Sequence, residues 1–296
     1  MSNASEANLW EQALIPGAGV SLHLVTARPT PSVPDRAPLL FLHGFPEFWY
    51  AWKRQLQAFG GERVTAAPDM RGYGRSDKPR EADAYALPNL VADVAAILDR
   101  ISPERPAVLV GHDWGGVVAW RFAMQRPERL EKLVIINAPH PAIFARELRN
   151  NPAQRRASAY VAVFRSPLAE PLLRAGRFAL LRRAVFGGAA RGAFSPADRR
   201  RYWVAWSQTG ALTGGLNYYR AARFVPAEAM RPIRVPTLVL WAEKDTALLP
   251  GNLKGLEEHV GDLTVRRLPN GTHWVVHEQP DVVNAHIEEF LGHNGG

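Results

Sequence analysis

Three side chains of this sequence have the types needed for a displacement and its reversal, in the order Asp113, Asp245, His273. Asp113 lies in AVLVGHDWGGVVAW, residues 107–120. There the β-branched apolar run Ala107–Val110 meets Gly111, Gly115 and Gly116, and a helical pattern follows from Val117 to Met124. This is a strand–turn–helix elbow of the form Gly-x-Nuc-x-Gly, with a carboxylate where most such elbows carry Ser. An Asp that only capped a helix would not need the glycine frame. An ordinary Asp, with a pKa near ~3.9, is ionised at neutral pH without a base. A carboxylate is a poor choice for cleaving an ester. It is well suited to in-line attack on an sp3 carbon, which leaves a covalent alkyl ester.

The partners expected for that chemistry come from three other segments. Asp245, in LVLWAEKDTALL, stands just beyond an apolar strand, where a carboxylate can orient a histidine and stabilise its imidazolium; Glu243 is its nearest rival. His273, in LPNGTHWVVHEQP, follows Asn270-Gly271-Thr272 on a loop after the last strand and is the expected general base, with His277 as the fallback. FLHGFPEFWYAW, residues 41–52, brings His43-Gly44-Phe45-Pro46 to the end of another strand. The Phe45 and Trp114 N–H groups are the expected oxyanion donors. His43 is expected to be structural.

The elements that must position these residues are short apolar strands alternating with helices. Strands are expected at Val20–Ala27, Leu39–Leu42, Arg63–Ala67, Val108–Val110, Leu133–Ile136, Thr237–Trp241 and Leu263–Leu268, and a helix at Pro88–Ile101. That alternation predicts an α/β fold with a mostly parallel sheet flanked by helices. Residues 141–227 break the pattern: they read as helical, Arg-rich and aromatic. They are expected to form an inserted helical cap (lid) over a core made of residues 1–140 and 228–296, at the strand edge where open sheets bind ligands. Trp203, Trp206 and Phe164 are candidates to line its pocket, and core packing accounts for them equally well.

Composition sets the outer limits. The chain has 296 residues, 47% apolar and 22% charged, with no cysteine. Disulfide and thiolate chemistry are therefore excluded. No apolar run is long enough to span a bilayer. The N-terminus lacks a basic region followed by an apolar run, so no signal peptide is expected and the expected location is cytoplasmic. The nine histidines are scattered without metal-ligand spacing, and the elbow lacks a dinucleotide fingerprint, so neither metal nor cofactor is expected. The net charge of +8 is uneven: from Pro141 to Glu228 fifteen Arg face four Asp or Glu, a net of +11, so the rest carries −3. With no nucleic-acid motif beside it, this charge reads as a solvated helical surface. Composition leaves monomer and homodimer equally open.

Together HGFPEFWYAW, DMRGYGRSDKP, GHDWGG, NAPHP, GGLNYYR, WAEKD and GTHWVVHEQP, in that order from about Gly19 to Gly292, resemble the epoxide hydrolases of the α/β-hydrolase fold. Asp69 and Arg71, in the second segment, are expected to be structural. The resemblance implies a hydrophobic epoxide as substrate, with water, and two cap tyrosines that protonate the leaving oxygen. Tyr219 takes the matching position in LNYYR, with Tyr218 as the alternative. Tyr160 in SAYVAVFRSP fits the first tyrosine as some members have it; others place it where this chain has Val163. The chain is also similar to haloalkane and fluoroacetate dehalogenases, which use the same nucleophile on a carbon–halogen bond. Haloalkane dehalogenases often carry Asn after His-Gly, where Phe45 stands here. Fluoroacetate dehalogenases hold the substrate carboxylate with Arg one and four positions past the nucleophile, where Trp114 and Val117 stand. A non-enzymatic alternative is a cap-gated small-molecule binding protein, which would bind saturably without forming diol or halide.

Overall fold

A computed structural model describes residues 10–29, 36–223 and 230–292. The expected cap boundary at 227 and 228, both chain ends and most of the Pro-rich turn Thr30–Pro38 lie outside the described residues.

Eight strands form one sheet: β1 (Glu11–Pro16), β2 (Ser21–Ala27), β3 (Leu39–Leu42), β4 (Thr65–Pro68), β5 (Ala107–His112), β6 (Leu130–Ile136), β7 (Thr237–Ala242) and β8 (Leu263–Leu268). Their spatial order is β1-β2-β4-β3-β5-β6-β7-β8. β2 runs antiparallel to both neighbours, and all pairs from β4 to β8 are parallel. Every residue of β3, β5 and β7 is buried. That is why these strands read as continuous apolar runs rather than alternating ones. The edges differ. β1 buries only Ile15, and β8 exposes Arg266 and Arg267, charges that blunt an open edge.

Four core helices matter here: α1 (Lys53–Phe59), α2 (Leu87–Ile101), α3 (Trp114–Gln125) and, at the end of the chain, a helix at Pro280–Gly292. α2 buries Leu90, Val91, Val94, Ile97, Leu98 and Ile101, one stripe of a 3.6-residue period. It packs on α3, while α1 packs on the terminal helix, so helices flank the sheet.

Between β6 and β7 the chain is helical, as expected of a cap: α4 (Pro141–Asn150), α5 (Pro152–Ala157), α6 (Tyr160–Arg165), α7 (Ala169–Phe186, broken at Ala175–Phe178), α8 (Pro196–Ser207) and α9 (Ala211–Ala221). α8 opens with a reciprocal capping box between Ser195 and Asp198. Buried polar bonds pin this layer to the core: Tyr202 Oη donates to Glu47 Oε1 at 2.8 Å, Trp206 Nε1 to the Pro46 carbonyl at 2.7 Å, and Tyr218 Oη to the Arg71 carbonyl at 2.9 Å. The last of these fixes α9, and with it the neighbouring Tyr219, over the carboxyl ends of the strands.

Candidate active site

Asp113 sits between the last residue of β5 and the first of α3, with φ 51° and ψ −122°. A non-glycine residue held there costs about 1–3 kcal/mol, offset by the packing around it. The turn closes because its neighbours lack side chains. A Cβ on Gly115 would lie 2.1 Å from the Leu42 carbonyl oxygen, and one on Gly44 would lie 2.2 Å from Asp113 Oδ1. The Asp113 side chain makes no helix-capping bond. Instead Oδ1 accepts from the Phe45 N–H at 2.8 Å. Trp114 is the first residue of α3, so its N–H has no acceptor within the helix.

His273 joins the two carboxylates. Its Nδ1 is 2.7 Å from Asp245 Oδ2, and its Nε2 is 3.6 Å from Asp113 Oδ2. Burial alone would lower the His273 pKa. The charge of Asp245 and its hydrogen bond, together with the nearby Asp113 carboxylate, outweigh it and raise the pKa well above the usual histidine value. Asp245 is itself held below the carboxylate range: burial opposes this, but His273 and the N–H groups of Leu248 and Ala247 prevail. Those N–H groups donate to its Oδ1 at 3.0 and 2.8 Å.

The rivals are placed elsewhere. Glu243 is the half-exposed partner of Arg267 at 2.8 Å, and His277 Nε2 is bound to Glu47 Oε1 at 2.6 Å. His43 is structural, as expected: its Nε2 accepts from the Met70 N–H at 3.0 Å. So are Asp69, which takes the Trp49 and Arg75 N–H groups, and Arg71, paired with Asp93 at 2.8 Å.

Both expected cap tyrosines reach the site. The Tyr160 and Tyr219 rings are 6.2 Å apart, and both residues line a cavity of about 520 Å³ whose floor is Asp113 and Trp114. Burial raises both phenol pKa values, and the Asp113 charge raises them further. Both therefore keep their protons at neutral pH. The neighbouring Tyr219 side chain acts the other way on Tyr160, as the Trp114 side chain does on Tyr219. The Trp114 ring meets the Tyr219 ring edge to face, with centroids 5.1 Å apart. Val163 is exposed, on the outside of α6.

For Trp203, Trp206 and Phe164 the structure decides against the pocket wall. Trp203 is 40% exposed, with Arg177 over its ring, and Trp206 is buried against Phe178 and Phe186. Neither lines the cavity. Phe164 stands behind the lining, packed on Phe45, Tyr160 and Tyr219. Tryptophan spacing on an amphipathic helix does not say which of two packed faces it joins.

Sequence reasoning also missed the layer beneath the site. Asn137, with φ 41° at the end of β6, donates from Nδ2 to Asp245 Oδ2 at 2.8 Å and accepts the Ala242 N–H at 2.8 Å. His112 Nε2 donates to the His273 carbonyl at 2.8 Å, and its Nδ1 faces Glu47 Oε2 at 3.3 Å. Glu47 is buried, yet its carboxyl is held well below the usual range, because His277 and His112 overcome the cost of burial. A lone carboxylate in the aromatic run FPEFWYAW was the available signal.

Strand order, elbow and carboxyl-end site together define an α/β-hydrolase fold. A family model described as alpha/beta hydrolase fold matches residues 37–280. The AB hydrolase superfamily protein YfhM of Bacillus subtilis (strain 168) is 39% identical over 277 residues, covering 92% of this chain and 95% of that protein. Epoxide hydrolase 4 of Mus musculus is 36% identical over 287 residues, covering 94% of this chain and 78% of that one. The crystal structure of Bacillus megaterium epoxide hydrolase in complex with an inhibitor superposes with a TM-score of 0.87 at 32% identity, over 95% of this chain and all of that one. The chain belongs to the α/β-hydrolase family, on its epoxide hydrolase branch. Among the described residues no helix is long and apolar enough to cross a membrane, and no cluster of three or more His, Asp or Glu could hold a metal.

Proposed function

We propose that this chain opens epoxides to vicinal diols through a covalent ester on Asp113. In the first step the Asp113 carboxylate attacks one epoxide carbon. The carbon–oxygen bond to that carbon breaks, and the departing alkoxide takes a proton from Tyr219 or Tyr160. Esterification removes the Asp113 negative charge beside His273, and with it part of what raises the His273 pKa. The His273 proton then passes to the tyrosinate left by the first step, which restores the phenol and makes the ring a base. In the second step His273 takes a proton from water, whose oxygen attacks the ester carbonyl carbon. The oxyanion forms against the N–H groups of Phe45 and Trp114. Its collapse expels the diol oxygen, which takes the proton from His273. Asp113 returns carrying one oxygen from water and gives the remaining proton of that water to His273, and Asp245 steadies the imidazolium whenever it forms.

The observation that carries this reading is the placement of His273 between two carboxylates, with two protonated phenols on the opposite side of the cavity. A halide needs no proton donor on leaving. Two tyrosines whose environments keep them neutral suit an alkoxide. The relatives named epoxide hydrolase support the same choice. In this reading residues 1–140 and 228–296 form the core, 141–227 the cap, a hydrophobic epoxide and water are the reactants, and the setting is cytoplasmic.

The test is a panel of aryl and alkyl epoxides and haloalkanes, with diol and halide followed separately. Diol from epoxides is expected. Halide without diol would replace this reading with a dehalogenase, and saturable binding without either product would replace it with a binding protein.

A further inference from the structure

The cavity over Asp113 is mostly apolar, but it has one chemical asymmetry. Among its described lining residues Asp113 is the only carboxylate, whereas four arginines, Arg121, Arg155, Arg165 and Arg223, contribute to the wall. Part of the basic charge that reads in the sequence as a solvated surface therefore stands at the rim of the pocket, on the exposed residues Arg155, Arg165 and Arg223. Arg223 lies 4.0 Å from Asp83, and none of the other three guanidiniums is paired with a carboxylate among the described residues. Arg155 donates to the Arg149 carbonyl at 2.7 Å. Arg121 faces the Gln125 carboxamide, whose oxygen, turned toward it, accepts at 3.1 and 3.3 Å. Partners of this kind satisfy hydrogen bonds and leave the positive charge uncompensated.

The placement of Arg121 gives this charge a distance. Val117 and Arg121 follow Asp113 by four and eight residues along α3, so the three positions share one helix face, and all three line the cavity. Eight residues of helix advance about 12 Å. The attacking oxygen stands about 3 Å from the carbon it attacks. A carboxylate bound to a guanidinium stands about 3 Å from it. An extended chain covers about 1.2 Å per bond. The interval left between reacting carbon and anion is about 6 Å, or roughly four to eight bonds once the reach of the Arg side chain is included.

We propose that the pocket selects epoxides carrying an anionic group, a carboxylate in the first instance, at the far end of an apolar stem of about four to eight bonds, with Arg121 as the specificity residue and Arg155 and Arg165 flanking it. This deepens the epoxide-opening reading and rests on it. The apolar wall holds the stem, the tyrosines meet the epoxide oxygen, and the guanidinium fixes which end enters first. An anion bound at Arg121 stays a helix length away from Asp113, so two negative charges are not brought together at the reacting carbon.

The test is a homologous series of terminal epoxides with a carboxylate at increasing distance, each paired with its methyl ester. The readout is the ratio of kcat/KM, acid over ester. The wild-type ratio is expected to reach about tenfold at stems of four to eight bonds, as for a charge-assisted contact partly open to water, and to decline with added salt. Arg121→Met should bring the ratio close to one, and Arg165→Gln should reduce it part of the way. Arg200→Gln, an exposed cap arginine outside the cavity, should leave it unchanged. A wild-type ratio at or below one at every length overturns the proposal. So does an Arg200→Gln variant that loses as much as Arg121→Met, which would assign the effect to overall charge. Binding of saturated carboxylates against alcohols of equal length, followed by calorimetry, reads the same preference without turnover. Should no epoxide be opened, the reaction assignment fails, while this measurement still decides for or against the anion pocket.

Discussion

Gly44→Ala tests the geometry of the site at its tightest point. The new Cβ would lie 2.2 Å from Asp113 Oδ1 and 2.3 Å from Asp113 Cβ, against about 3.4 Å for ordinary contact, so the Asp113 side chain or the Phe45 loop must move by about 1.2 Å. Asp113 cannot yield easily, because its backbone is fixed by an elbow packed so closely that a Cβ on Gly115 would lie 2.1 Å from the Leu42 carbonyl oxygen. The Phe45 N–H, now 2.8 Å from Oδ1, is the contact that gives. A misplacement of about 1 Å at a reacting group costs on the order of a hundredfold in rate. Loss of one oxyanion donor costs on the order of 10²–10³. Gly44→Ala is therefore expected to lower kcat for an epoxide by at least about a hundredfold. The assay is diol formation, with near-ultraviolet circular dichroism to confirm the fold and single-turnover mass spectrometry to separate ester formation from ester hydrolysis. Both steps should slow, because the same N–H orients the nucleophile and receives the oxyanion. A folded Gly44→Ala enzyme within threefold of wild type would refute the placement of the Phe45 N–H in the reaction.

His273→Gln should stop the cycle after the first step, so that the peptide containing Asp113 gains the mass of the substrate; an unmodified peptide in a variant that binds substrate would count against the ester. Tyr219→Phe and Tyr160→Phe should each slow alkylation by about tenfold or more, and the double variant by about 10²–10⁴. Tyr218→Phe, which loses only a bond to the Arg71 carbonyl, should cost about 1 kcal/mol of stability and little rate. Equal rate losses at 218 and 219 would undo the assignment. Stability should also depend on pH. Asp245 and Glu47 have depressed folded pKa values, so their contribution is complete above about pH 4.5 and is lost as pH falls through those values. His273 has a raised one, so its contribution is complete below about pH 6.5 and declines as pH rises through the folded value. Melting temperature should form a plateau between these limits, and His273→Gln should flatten the alkaline side; an unchanged alkaline slope would contradict the pairing.

The sheet was readable where strands are buried on both faces. β3, β5, β6 and β7 show as apolar runs, and Asp113, Asp245 and the Phe45 loop were found because each follows such a run. β1 gave no signal, since EQALIP buries one residue of six. The start of β6 was hidden by Glu131, which is exposed, and Lys132, which is buried with its ammonium on the Phe290 carbonyl. α3 begins three residues before its apolar pattern does, because Trp114, Gly115 and Gly116 serve the elbow rather than helix propensity. The support layer was illegible for another reason. Glu47, His112, Tyr202 and His277 are scattered along the chain, and only the docking of α8 onto the core makes them neighbours. A buried polar network of that kind leaves its members looking like isolated polar residues in apolar segments.

The carboxylate at position 113 also explains why its histidine is buried against a second carboxylate. In the resting site His273 has an acid on each side, and its proton is strongly held. A serine at the elbow would need that ring as a free base before anything else could happen. A carboxylate does not, so the first step can proceed with His273 protonated. The ester that forms removes one of the two charges holding the proton, and the base appears when water has to be activated. This order of events requires Asp245 to outlast the change, which is the task of its four hydrogen bonds: the N–H groups of Ala247 and Leu248, the Asn137 amide and His273 itself. It follows that Asn137→Ala should slow ester hydrolysis more than ester formation. Pre-steady-state mass spectrometry would show this as an alkyl-enzyme that accumulates. If formation slowed instead, Asn137 would be acting through the elbow, and the sequence of protonation argued here would be wrong.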